Sequence, residues 1–129
     1  MKILFLTIII SIILASGCVY QKTAEQWYID GLNKAAYTNG CEAAIVYYDK
    51  ALEIDPRFSE AWFAKGVCYQ NLRQYNESIK CYNRAIEINP RYALAYYQKS
   101  KVMLVLGLNE DAEDAYHKAI AIDPSLINI

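Results

Sequence analysis

The sequence predicts an all-α fold, three stacked helix-turn-helix hairpins that form a short α-solenoid. Three observations predict it. Pro56, Pro90 and Pro124 stand 34 residues apart, and each closes a near-copy of one phrase, KALEIDP, RAIEINP and KAIAIDP. A fixed period of this size marks repeated helical hairpins rather than a closed globular fold. Within the second period, Trp62, Gly66 and Tyr69 fall at i, i+4 and i+7. After a turn around Arg73 to Asn76, so do Ser78, Tyr82 and Ala85. That is the spacing of one helix face. Each proline then ends a second helix, because it lacks the N–H that a helix interior needs.

In chain order, the first of the 129 residues lie outside the repeats. Lys2 precedes an apolar stretch from Ile3 to Leu14, interrupted only by Thr7 and Ser11. This is shorter than the roughly 20 residues of a membrane-spanning helix. Followed by the small residues Ala15, Ser16 and Gly17, it has the layout of a secretory signal over residues 1–17. The run Leu14-Ala15-Ser16-Gly17-Cys18 resembles the lipobox of prokaryotic lipoproteins, in which the cysteine is acylated and becomes the new N-terminus. It departs from that family at Ala15, where a larger aliphatic residue is usual, and in having Lys2 as its only early base. The resemblance implies a diacylglyceryl group on Cys18, and two acyl chains anchor stably where one does not. An uncleaved signal anchor and an ordinary cleaved signal with an incidental cysteine are the alternatives. Residues 18–24 would then be a lipidated N-terminus and short tether. At ~3.3–3.6 Å per residue it would hold the folded part within roughly 20 Å of the lipid.

The hairpins follow. The first carries Trp27 and Gly31, then Ala44, Tyr48, Ala51 and Pro56; the third carries Tyr96, Ser100 and Met103, then Ala112, Tyr116, Ala119 and Pro124. Gly31 lies 25 residues before Pro56, whereas Gly66 lies 24 before Pro90, so the first hairpin holds one extra residue, near the turn dipeptide Asn39-Gly40. This order of Trp, Gly and Tyr, then small, aromatic, Ala and Pro, resembles the tetratricopeptide repeat. The resemblance covers residues 25–126, as repeats of about 25–58, 59–92 and 93–126, with 127–129 as a tail. It implies a right-handed superhelix. Terminal repeats need a polar outer face. Glu113 replaces the Ile45 and Ile79 of the earlier repeats, while Leu126 to Ile129 are too few for a capping helix. An apolar end bearing Tyr116, Ile120 and Ile122 is therefore expected to stay open.

Enzymatic constellations are absent from the sequence. The single histidine, His117, has no convergent partners, and there is no Gly-rich phosphate loop or HExxH pair. No cofactor or metal is expected. Net charge is −1, with the middle repeat basic and the last acidic. A nucleic-acid surface would want clustered Arg and a far higher pI than 5.8. Cys41, Cys68 and Cys81 form no CxxC and read as small buried hydrophobes, with a Cys68–Cys81 bridge across one hairpin as the alternative. A glycosylation sequon, Asn76-Glu77-Ser78, falls in the expected inter-helix turn.

The tetratricopeptide resemblance implies that a partner peptide lies against the first helix of each repeat. The matching positions are Glu60, Phe63, Val67, Gln70 and Asn71 in the second repeat, with Leu94, Tyr97, Lys101, Leu104 and Val105 in the third. Of these, Phe63, Val67, Gln70, Asn71, Tyr97, Lys101 and Leu104 are taken as the groove. In the first repeat they are Tyr28 or Ile29 and Leu32 or Asn33, depending on register. Phe63 and Tyr97 stand where a carboxylate-clamp relative places lysine, so an acidic-tail clamp is not expected. Aromatics in such a groove are natural anchors for an apolar helix or extended segment. The sequence thus describes a lipid-anchored adaptor on the extracytoplasmic face of a prokaryotic envelope, binding a protein partner without catalysis. The alternative is a self-associating structural module, a homo-oligomer in an envelope, secretion or pilus assembly. Replacing Cys18 by Ser should release the protein from the membrane fraction or leave its precursor uncleaved. Unchanged attachment and processing on fractionation would argue against lipidation.

Overall fold

A computed structural model of the chain describes residues 21–37 and 40–128. The expected signal segment and Cys18 lie outside the described residues, as do Thr38 and Asn39. Among the described residues are six α-helices and no strand: α1 (Ala24–Ala35), α2 (Cys41–Ile54), α3 (Ser59–Asn71), α4 (Tyr75–Ile88), α5 (Ala93–Val105) and α6 (Asn109–Ile122). A 3-10 helix, Pro124–Asn128, follows. The helices pair as α1–α2, α3–α4 and α5–α6, and each pair packs on the next. No helix among the described residues is long and apolar enough to cross a membrane.

The helix boundaries follow from local chemistry. Thr23 opens α1 with a capping box: its hydroxyl accepts from the Gln26 N–H, and the Gln26 side chain accepts from the Thr23 N–H. At each junction the residue before proline folds the chain back on itself. Asp55, Asn89 and Asp123 accept, through Oδ1, the N–H of Arg57, Arg91 and Ser125 at 2.9, 3.1 and 3.0 Å. These are Asx turns, with proline pre-set for the following position.

Inside each hairpin a tyrosine of the second helix lies against a nearly bare backbone in the first. A Cβ added at Gly31 would stand 2.5 Å from Tyr48 Cε1, and one at Gly66 would stand 2.7 Å from Tyr82 Cε1. Both tyrosines are fully buried. In the third hairpin Ser100 brings a real Cβ to this place. Tyr116 there is only half-buried, so it has room to give way. The second hairpin is further tied by Ser78 Oγ donating to the Gly66 carbonyl at 2.8 Å and by Tyr82 OH donating to Gln70 Oε1 at 2.7 Å.

These contacts fix the register of the first repeat. Gly31 answers to Gly66, so Tyr28 answers to Phe63 and Leu32 to Val67. The extra residue is taken up between α1 and α2, where the connection runs over residues 36–40 against 72–74 and 106–108 in the other hairpins, α1 ending one residue sooner than its counterparts. Two expectations need correction. The second turn ends before Tyr75, so Asn76 lies in the first turn of α4 and the sequon's Ser78 hydroxyl is buried and already bonded. The C-terminal end is also less open than expected. The 3-10 turn brings Leu126 to 3% exposure against Ala93 and Ala119, with Tyr96, Tyr97 and Ile122 beside it. Tyr116, Ile120 and Ile122 are half-buried rather than exposed.

Gly66→Ala should cost net stability. Alanine adds about 1 kcal/mol of helix propensity, but its methyl meets a buried ring that must shift, at a cost of about 1–3 kcal/mol. A urea midpoint that rises instead would mean Tyr82 moves freely. The hairpin turns give a second check, since Arg73 (φ 59°) and Gly107 (φ 77°) occupy the same left-handed position. Arg73→Gly should therefore stabilise by about 0.5 kcal/mol or more, and Gly107→Ala should destabilise by about 1 kcal/mol. Effects of equal sign in denaturant titrations would refute the strain argument.

Candidate partner-binding groove

The first helices α1, α3 and α5 line one side of the stack, and three cavities run along it. The first, about 370 Å³, lies between repeats one and two and is bounded by Tyr28, Leu32, Cys41, Tyr48, Phe63, Val67, Cys68 and Asn71, among others. The second, about 450 Å³, is bounded by Gln70, Asn71, Tyr75, Lys101, Val102, Leu104 and Val105. The third, also about 450 Å³, lies against the last hairpin, with Tyr97, Ser100, Lys101, Leu104, Asn109, Ala112, Glu113 and Tyr116. Consecutive cavities share Asn71 and then Lys101 and Leu104, so they form one continuous groove. The seven residues taken as the groove line it, and so does Val105, whereas Glu60 and Leu94 do not.

Aromatic rings build its floor. Phe63 sits between Tyr82 and Tyr92, with ring centroids 5.7 and 5.0 Å away. Tyr28 sits in the same way between Tyr48 and Phe58, at 6.0 and 4.9 Å. The outer partners, Phe58 and Tyr92, are equivalent residues 34 apart, each preceding the first helix of the next repeat. In repeat three Tyr97 meets Tyr116 at 6.3 Å, and Leu126 takes the third place. Phe63 and Tyr97 therefore support the repeats as well as face the groove. Burial, followed by the charge of Glu60, pushes the Tyr92 hydroxyl up to about 12, so this floor is neutral at any ordinary pH.

The polar points are few and partly engaged. Gln70 Oε1 accepts from Tyr82 OH, and Asn71 Nδ2 contacts Cys41 Sγ at 3.7 Å. Lys101 is exposed, with its ammonium 5.4 Å from the Tyr97 ring centre. On the other side of the first helices the aromatics face cations: Lys22 and Lys50 lie over Trp27, and Lys65 and Arg84 over Trp62. There Lys65 reaches from α3 to Asp49 of α2 at 2.5 Å, an ion pair between repeats. Burial works to lower the Lys65 pKa, but hydrogen bonding and charge from Asp49 outweigh it and hold the ammonium above its ordinary value.

Sequence reasoning missed Tyr75, Asn109, Glu113 and Tyr116 as lining residues. Tyr116 was within reach of it, as the third member of the Tyr48, Tyr82, Tyr116 series. No group of three or more His, Cys, Asp or Glu side chains among the described residues could hold a metal ion. His117 stands on the exposed face of α6, 3.6 Å from Glu113. The cysteines depart from the expected alternative as well. All three are free thiols, and Cys68 lies against Cys41 of the preceding repeat.

Repeated helical hairpins with an open groove define a solenoid of stacked repeat units. Two models described as tetratricopeptide repeat match residues 59–92 and 42–58. The chain carries tetratricopeptide repeats. It is 33% identical over 60 residues to the uncharacterized protein MJ0572 of Methanocaldococcus jannaschii, a match covering 46% of this chain and 69% of that one. Solved structures share the fold. The crystal structure of MamA aligns with TM-score 0.76 at 22% identity, over 83% of this chain and 62% of its own. This chain thus spans less than two-thirds of that protein. The second tetratricopeptide domain of Spaghetti (RPAP3), bound to the HSP90 peptide SRMEEVD, aligns with TM-score 0.75 at 18% identity, over 79% and 94%.

Proposed function

We propose that this protein is a membrane-anchored adaptor that holds a protein partner in the groove of its first helices and performs no chemistry itself. One observation carries the reading: residues chosen from three different turns of the repeat line a single continuous run of cavities. Exposed apolar side chains stand along its lip, with Leu104 at 56% and Val105 at 63% exposure. A fold neighbour holds a peptide, which makes the same use of this groove reasonable. The occupant expected here differs from that acidic heptapeptide. Lys101 is the only basic residue lining the three cavities, and Glu113 lies in the same cavity. An apolar helix or extended segment suits an aromatic floor with one cation and two amides. The anchor rests on the lipobox-like run at Cys18, which would set the groove close to an envelope membrane.

Because Phe63 and Tyr97 also hold the repeats together, their truncation would confuse binding with folding. Lys101→Glu with Leu104→Asp changes two exposed residues instead. This double variant of the full chain should keep its helical circular dichroism and lose at least about 10-fold in partner capture after in-cell cross-linking, as expected for a central anchor pair. An unchanged set and yield of cross-linked proteins would place the binding surface elsewhere. A scattering mass that rises with protein concentration and falls in the variant would instead make the groove a self-association surface.

A further inference from the structure

The groove between repeats one and two contains a pair of thiols that the proposed binding role does not use. Cys41 is the first residue of α2, and Cys68 lies on α3 of the next repeat. Both belong to one buried cluster with Ala44, Tyr48 and Ala64, at 9% and 2% exposure. Both line the same cavity, close enough for Cys41 to push the Cys68 thiol up. Asn71 Nδ2 approaches Cys41 Sγ from the groove side. Cys81 is placed differently: its neighbours include Lys65, Glu77 and Asp49, on the far side of the second hairpin.

We propose that Cys41 and Cys68 form an oxidisable pair, a disulfide site that staples repeat one to repeat two at the floor of the groove. The oxidant is a low-molecular-weight disulfide. The Cys41 thiolate, the sulfur nearer the opening, attacks one of its sulfurs and releases one thiol. Cys68 then displaces the second, forming the protein S–S bond. Two thiol protons and two electrons leave the protein, and the small disulfide is reduced to two thiols. Burial, and then Cys41 itself, pushes the Cys68 thiol up to about 12, which makes the second displacement the slow step and speeds it as pH rises. The link closes a loop of about 28 residues and removes freedom chiefly from the unfolded chain. In the native state it fixes the angle between two repeats, and with it the width of the first cavity.

The test uses the full chain, reduced and then incubated with oxidised glutathione under native conditions. Peptide mapping should give a Cys41–Cys68 cross-link with a loss of 2 Da from the pair, and the thermal midpoint should rise by about 5 °C or more. Cys81→Ser should leave the cross-link intact. Cys41→Ser should abolish it, with Cys68 then keeping glutathione or remaining a thiol. Should that variant fold poorly, the mapping of the wild-type chain still decides. A Cys68–Cys81 peptide, or thiols that react only in denaturant, would overturn the proposal.

Discussion

Everything in this solenoid depends on how closely the two helices of a hairpin approach. At Gly31 and Gly66 the first helix has no side chain, and the Tyr48 or Tyr82 ring fills that space so fully that a methyl group would collide with it. The same ring also meets Tyr28 or Phe63, with ring centres 6.0 or 5.7 Å apart. A wider helix pair would leave the tyrosine unpacked at a cost typical of large buried cavities. A narrower one has no space for it. The close approach therefore fixes the hairpin's shape, and repetition of that shape fixes the curvature along which the groove forms.

The junctions convert that shape into a stack. An Asx turn at Asp55 or Asn89 sets the direction of the next helix. The residue just before that helix, Phe58 or Tyr92, drops onto the previous repeat's groove aromatic. One side chain thus reports the position of one repeat to the next. Asp123 and Leu126 repeat the device at the end of the last hairpin, with an aliphatic in place of the ring. This is why the final hairpin is better covered than a count of remaining residues suggested: the covering unit is a turn and one apolar side chain, not a helix.

What could be read from the sequence was what repeats within a hairpin. Glycine, tyrosine, alanine and proline recur with the period, so helix number, the proline-closed ends of the second helices and the positions along the groove were legible. Register in the first repeat was not, because one inserted residue makes Tyr28 and Ile29 equally acceptable until the Gly31–Tyr48 contact decides. Contacts between repeats were harder still. Cys41 and Cys68 share no position in the repeat, since Cys41 answers to Tyr75 and Cys68 to Val102. Only the angle between successive hairpins brings them together. The reading of Ser78 failed for a local reason, since its hydroxyl belongs to the helix-pair interior rather than to a turn.

The repeats are alike in shape and unlike in chemistry, and this gives the groove a direction. At matching positions Leu32, Val67 and Lys101 follow one another, then Ala35, Gln70 and Leu104, then Ala36, Asn71 and Val105. Repeat one offers small apolar contacts, repeat two amides, and repeat three branched aliphatics around a cation. The amides are half spent: Gln70 has its oxygen on Tyr82, and Asn71 turns a donor to Cys41. A partner's polar group there must compete with an existing contact, which weakens its net return. Lys101 is exposed, and its ammonium lies beside the Tyr97 ring, so it can donate to a carboxylate or carbonyl without breaking a hydrogen bond. Orientation of a bound segment should therefore be set at the third repeat and its apolar body read at the first. That is a polarity which three identical repeats could not supply.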